Sequence, residues 1–282
     1  MRTAALAAAA LVGFAANSIL CRMALQPGLA DAASFTAIRL VSGALVLLAL
    51  HRATAPARPS GPSGSWTSAG ALFAYAAAFS FAYLRIGAGT GALLLFGTVQ
   101  ATMLVWALRS GERLGAAEWL GLAAALGGLV ALVRPGLTAP DPTGAALMIA
   151  AGVAWGVYSL RGRGTVDPLA VTASNFARTV PFTLALSLLA AGRVHVTRDG
   201  ALLAVASGAL ASGVGYSLWY AALRGLTATR AAIVQLSVPV LAAAGGVLLL
   251  GERLSARLVV AGIAILAGVA LAVAGSARGR RP

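Results

Sequence analysis

Apolar stretches long enough to cross a bilayer follow one another along almost the whole of this 282-residue chain, and the second set repeats the first. A helix needs about 20 apolar residues to span a hydrocarbon core about 30 Å thick. Such stretches fall near 3–21, 32–50, 66–84, 87–108 and 116–133, then near 143–161, 169–190, 201–222, 228–249 and 257–275. They are continuous rather than alternating, which favours helices over barrel strands. Landmarks recur between the sets. Arg161 answers Arg22, Arg178 answers Arg39, Arg224 answers Arg85 and Thr229 answers Thr90, each at an offset of 139 residues. Gly111-Glu112-Arg113-Leu114 returns as Gly251-Glu252-Arg253-Leu254 at an offset of 140. Five spans is an odd number, so the second copy must sit upside down relative to the first. The predicted fold is an all-α membrane protein of ten transmembrane helices, built as two inverted five-helix repeats over 1–138 and 139–282.

Composition excludes the main alternatives. Only 10% of residues are charged and 60% are hydrophobic, whereas soluble domains carry roughly 25% charged residues. The net charge of +14 comes from arginine alone, since the chain has no lysine. The arginines cluster at span ends, where they set topology and meet lipid phosphates. No basic face or reading motif accompanies them, so no nucleic-acid partner is expected. A single cysteine, Cys21, rules out an internal disulfide and a cysteine-based metal site. There is no Walker motif for ATP, and no metal or other cofactor is expected. Met1-Arg2-Thr3 and the alanine-rich run after it resemble a signal peptide. Their repeat partner around 145–161 is plainly a span, so the run reads as a retained first helix.

Connections are short. The longest, His51 to Ser65, holds Pro56, Pro59 and Pro62 and is expected to be a flexible loop; Arg134 to Pro142 joins the halves. Gly121, Gly127 and Gly128, and likewise Gly208, Gly213 and Gly215, suit close helix packing. With the N-terminus inside, twelve arginines fall on the cytoplasmic side (Arg2, Arg52, Arg58, Arg109, Arg113, Arg161, Arg163, Arg224, Arg230, Arg278, Arg280 and Arg281) and seven outside. This asymmetry puts both termini in the cytoplasm of a multi-pass protein of the cell (inner) membrane.

Particular motifs add a family likeness. They are Phe35-Thr-Ala-Ile-Arg39 in the second span, the doubled Gly-Glu-Arg-Leu, Tyr216-Ser-Leu-Trp-Tyr-Ala-Ala-Leu-Arg224, and Gln235-Leu-Ser-Val-Pro239 in the ninth span. Through them the chain resembles the ten-helix EamA-type members of the drug/metabolite transporter superfamily, over essentially its whole length. The resemblance implies a basket of helices around a central cavity and the movement of small metabolites. One position departs from the pattern: where the ninth span has Pro239, the repeat-matched residue of the fourth is Gln100.

Several residues are candidates for function. Gln100, Asn17 and Asn175 are amides within spans, which need hydrogen-bond partners from a neighbouring helix or a polar cavity. Trp155 and Tyr158 share a helix face, and Trp155 is too deep for an interfacial belt. With Tyr220 these residues form the expected substrate-binding set; Tyr216 and Trp219 are further aromatics of the eighth span. Arg39 and Arg178 are intramembrane charges costing about 2.5–3.5 kcal/mol each. Their recurrence on opposite sides suits a structural charge better than one central site. Thr90 and Thr229 read as helix-start hydroxyls, and Glu112 and Glu252 as partners of neighbouring arginines. No Asp, Glu or His lies deep in a span, so no proton relay and no catalytic constellation is evident. The expected function is a secondary transporter exporting small amphipathic metabolites, such as amino acids or related compounds, by alternating access. The alternatives are a passive channel or facilitator and, behind it, a membrane-embedded enzyme. Expected partners are a small-molecule substrate and the lipid bilayer, with monomer and homodimer both open.

Overall fold

The computed structural model describes residues 2–54, 64–109, 115–136, 139–162, 165–223, 225–226 and 234–279. Within these, the side chains of Arg2, Leu104, Ala107, Tyr220, Leu223, Val273 and residues 276–279 are outside the described set. The first Gly-Glu-Arg-Leu with Glu112, Arg224, Thr229 and the Tyr220 side chain therefore lie beyond it.

The described residues form long helices: α1 (Arg2–Leu25), α2 (Ala32–Thr54), α3 (Trp66–Tyr83), α4 (Ala88–Arg109), α5 (Ala116–Val133), α6 (Pro142–Arg161) and α7 (Pro168–Leu189). Next comes a composite helix, α8, which is α-helical over Arg198–Val205, π-helical over Ala206–Val214 and α-helical again over Gly215–Leu223. The last two are α9 (Ser237–Leu250) and α10 (Ala256–Gly279). Their starts follow from capping chemistry, which satisfies amides that have no partner within the helix. The Asp141 carboxylate accepts from the Gly144 N–H at 2.7 Å, and Asp167 accepts from Ala170 at 3.0 Å. Pro142 and Pro168 follow these caps at the first helical position, where proline's missing N–H costs nothing. Ser65 and Thr197 cap α3 and α8 in the same way.

Two boundaries differ from expectation. α2 runs on to Thr54, so His51 is helical and the connection to α3 is shorter than expected. The eighth span starts earlier, at Arg198, once Thr197 supplies a cap. Near Pro239 the chain is helical on both sides of a single turn residue: Val234 and Gln235 are helical, Leu236 is a turn, and α9 runs from Ser237, whose hydroxyl donates to the Val234 carbonyl at 2.7 Å. Pro239 has no N–H to return to the Gln235 carbonyl.

Five helices, Thr3–Leu25, Ala32–Thr54, Ala116–Val133, Pro142–Arg161 and Arg198–Trp219, are long and apolar enough to cross a membrane. Large apolar side chains face outward, among them Leu45, Leu120, Val130, Leu184, Leu248 and Ile263. Water would penalise that surface, while lipid makes it the expected exterior.

Packing pairs elements distant in sequence. α3 lies against α6 and α1 against α8; α4 lies against α6 and α1 against α9; α2 packs on α7, and α5 on α10. α5 and α10 cross at glycine, because a Cβ on Gly121 would lie 2.6 Å from the Ala272 nitrogen and one on Gly268 would lie 2.6 Å from the Gly121 carbonyl. Gly208, in the π-helical stretch, meets the Arg39 carbonyl and the Ser42 hydroxyl so closely that no side chain fits there. Backbone contact thus locks α8 to the part of α2 that carries Arg39.

The connections after α1, α3, α5, α7 and α9 gather at one end of the bundle, here the far end. Ala30 pairs with Val196 in an isolated antiparallel bridge. Asp31 caps α2 at Ser34 and accepts from the His195 N–H, both at 2.9 Å. Burial raises the Asp31 pKa, but the Ser34 hydroxyl and the His195, Ser34 and Ala33 N–H groups outweigh it, leaving the carboxyl below its usual value. A depressed carboxylate stabilises the fold above its unfolded pKa, about 3.9, and that contribution fades as pH falls through the folded value. The melting temperature of the native protein is therefore expected to exceed that of Asp31→Asn near neutral pH. The gap should shrink below about pH 4; a pH-independent gap, or none at pH 7, would show that the charge does not hold this clamp.

Candidate functional site

A cavity of about 420 Å³ is lined from α1, α3, α4, α6, α7 and α8 and by Gln235 just before α9. It reaches the α6–α7 connection at Gly162 and Thr165, opposite the far end. Its wall is an aromatic array centred on Trp155. That ring stacks on Tyr216 at 5.3 Å and 17°, and lies 4.8 Å from Tyr75 and 5.4 Å from Tyr158. Phe14 joins Tyr216 and Trp219 at 5.7 and 5.9 Å. Such rings offer a large apolar surface with polar edges, suited to a flat or amphipathic solute.

Gln100, Trp155, Tyr158, Asn17 and Asn175 all line this one cavity, although they come from four helices. Tyr220 lies on α8, with its side chain outside the described set. Gln100 is the thirteenth residue of α4, is half-buried, and its amide has no hydrogen bond to any described residue. The two asparagines also join helices. Asn17 accepts from the Ser207 hydroxyl and donates from Nδ2 to the Tyr75 oxygen at 3.5 Å. Asn175 Oδ1 accepts from the Ser65 N–H at 2.9 Å, tying α7 to the start of α3.

The two intramembrane arginines do not line the cavity. Arg39 is 2% exposed. Its Nη2 donates to the Tyr75 oxygen at 3.1 Å, and its guanidinium lies over the Phe79 and Tyr75 rings at 4.9 and 5.4 Å. Nε and Nη1 have no hydrogen-bond acceptor among the described residues. The partner expected for this charge is thus a phenol and two ring faces rather than a carboxylate. Arg178 is only half-buried; it donates to the Ser174 hydroxyl and lies 5.9 Å from the Trp66 ring.

Beyond the cavity floor, towards the far end, lies a charged lock. Arg22 Nε meets Glu252 Oε1 at 3.3 Å, and Arg22 Nη1 donates to the Tyr83 carbonyl at 2.8 Å. Both Glu252 oxygens accept from the Ala88 N–H, at 3.0 and 2.8 Å. An anion at the first turn of α4 satisfies a free amide and the helix dipole together. Two expectations are corrected here. The partner of Glu252 is Arg22, far away in sequence, and not a neighbouring arginine; and the start of α4 is capped by Glu252, not by the Thr90 hydroxyl. The reason is the helix 9–10 turn, whose Gly251 takes a left-handed φ of 65° and leads the chain straight into Glu252.

Reasoning from the sequence missed Tyr75, Phe79 and Phe14. Tyr75 and Phe79 are four apart on α3 and share a face, but Phe73 and Phe81 have similar chemistry and no pattern ranks one pair above the other. Among the described residues no group of three or more His, Cys, Asp or Glu side chains could hold a metal ion.

Comparison with known proteins completes the description. Residues 142–274 match the profile of the EamA-like transporter family. An uncharacterised protein of Pseudomonas aeruginosa is 54% identical over 97% of this chain and 95% of its own length. Two proteins described as a probable amino-acid metabolite efflux pump also match: one from Escherichia coli, 29% identical over 78% of this chain and 79% of its own, and one from Salmonella typhimurium, 26% identical over 70% and 72%. A crystal structure 24% identical in sequence superposes with a TM-score of 0.66 over 94% of this chain and 98% of its own, which shows a shared fold.

Proposed function

Because the chain belongs to the EamA-like transporter family, we propose that it is a secondary transporter exporting small amphipathic metabolites, amino acids or related compounds, by alternating access. Family membership makes it a multi-pass membrane protein with a small-molecule substrate, and a transporter rather than an enzyme. The finer reading has ten helices in two inverted halves, 1–138 and 139–282. The matched packing of α3–α6 with α1–α8, and of α4–α6 with α1–α9, supports it. So does the gathering of every connection that follows an odd-numbered helix at one end.

One observation carries the mechanism. The cavity's lining includes Gly162 and Thr165 of the α6–α7 connection but no residue of the Arg22–Glu252–Ala88 contact, which lies one helical turn beyond Ser18 and which we read as a seal on that side. A path open on one side and sealed on the other is one of the two states alternating access requires. Arginine counting puts both termini and the α6–α7 connection in the cytoplasm, so this state would load an exported solute from inside. The substrate reading rests on the aromatic wall and Gln100, which suit a polar head on an apolar body, and on the names of the efflux-pump relatives.

The test is counterflow. Proteoliposomes preloaded with an unlabelled amino acid or related carboxylate should take up the same compound in radiolabelled form several-fold faster than unloaded vesicles. Equal rates with and without preload would identify a passive facilitator. A reporter active only in the cytoplasm should work when fused to Pro282, and silence there would reverse the orientation.

A further inference from the structure

The hydroxyl of Tyr75 is already used twice as an acceptor. Arg39 Nη2 donates to it at 3.1 Å and Asn17 Nδ2 at 3.5 Å. A phenol oxygen has two acceptor positions and one proton. With both positions filled, the proton must point elsewhere, and no described residue receives it. Tyr75 lines the cavity as the tenth residue of α3, about 14 Å from the helix start at 1.5 Å per residue. Behind it sits Arg39, 2% exposed, with two nitrogens lacking an acceptor and no carboxylate beside it. Among the described lining residues there is no Asp or Glu.

From this geometry we propose that Tyr75 donates its hydroxyl proton to the carboxylate of the substrate, with Arg39 as the positioning residue behind it, and that the carrier selects aromatic or branched carboxylates lacking an amino group over amino acids. The inference rests on the transport reading and narrows its substrate class. A carboxylate oxygen on Tyr75 would sit about 6 Å from the Arg39 guanidinium, given ordinary O–H···O lengths. At that range, in a site walled by rings, unlike charges attract far more than in water. Arg39 also sharpens the donor, because a phenol that accepts from a cation gives up its own proton more readily in hydrogen bonding. An ammonium gains less here than a carboxylate does. It would lose its water, find no carboxylate and feel the same guanidinium as repulsion. The substrate's apolar body falls on Trp155 and Tyr216, the stacked pair next to Tyr75.

The test uses the full-length protein in detergent and three probes of matched shape: 3-phenylpropionate, its amide 3-phenylpropionamide, and phenylalanine. Binding is read by calorimetry and by the change in intrinsic tryptophan fluorescence, to which Trp155 and Trp219 of the cavity wall contribute. The native protein is expected to bind 3-phenylpropionate about tenfold to a hundredfold more tightly than the amide, and more tightly than phenylalanine. Tyr75→Phe keeps the ring but should erase the preference for acid over amide. Arg39→Lys should retain part of that preference and Arg39→Gln none, a graded rescue that a purely structural arginine would not give. These two variants carry the test if Tyr75→Phe folds poorly. Equal binding of acid and amide, no binding of the acid, an undiminished preference in folded Tyr75→Phe, or tighter binding of phenylalanine would each overturn the proposal. Counterflow of the same probes separates the two readings. Acid-selective binding without counterflow defeats the transporter while leaving the site; equal counterflow of acid and amide defeats the site while leaving the transporter.

Discussion

Replacing Glu252 with Gln is expected to open the far end of the cavity. The carboxylate holds Arg22 and takes the Ala88 N–H at the start of α4, joining α1, α4 and the turn before α10 in one contact. An amide of the same shape cannot neutralise Arg22, whose side chain is only 15% exposed, and it meets the helix dipole with no charge. Fully buried pairs lose about 3–5 kcal/mol when one partner is removed; partial exposure here reduces that to about 2 kcal/mol, or roughly thirtyfold in a population. The reporter is Ser18→Cys in a Cys21→Ser background, because Ser18 lines the cavity above the lock and Cys21 is the chain's sole cysteine. A membrane-impermeant maleimide added on the far side should label it about tenfold or more faster in Glu252→Gln. An unchanged rate in a stably folded variant would mean that this contact does not close the path.

Gln100→Leu should abolish transport of a polar substrate and leave the fold intact. Its amide faces the cavity without a bond to any described residue, so removing it orphans no described protein group. Any substrate atom that used it would instead be left unpaired, a loss of about 1–3 kcal/mol, or roughly tenfold to over a hundredfold in affinity. Trp155→Ala should weaken affinity on a similar scale, since it removes the ring that joins Tyr75, Tyr158 and Tyr216. Melting temperature separates the two variants: unchanged for Gln100→Leu, lowered for Trp155→Ala. If both carry the solute found by counterflow at native rate and affinity, the site lies away from this cavity.

The helices were legible in the sequence because lipid and helix ends impose local rules. A bilayer demands long apolar runs, which place the helices, although a cap such as Thr197 starts α8 at Arg198, ahead of the apolar run from 201. The doubling of Arg22, Arg39 and Arg85 at one offset is what makes two like halves the proposed plan. Part of the cavity lining was legible too: an amide such as Gln100, or an indole such as Trp155, is costly at mid-depth unless a cavity receives it. The tertiary structure alone decided that Asn17, Tyr75 and Arg39 form one chain of hydrogen bonds, and that Glu252 reaches Arg22, 230 residues away. It also decided that Gly208 brings the backbones of α2 and α8 together while Gly127 meets nothing. The physical reason is that lipid and protein interior are equally apolar. Hydropathy therefore tells where a helix runs but not which face meets another helix, and that choice is made by close packing and by pairing of polar groups between helices distant in sequence.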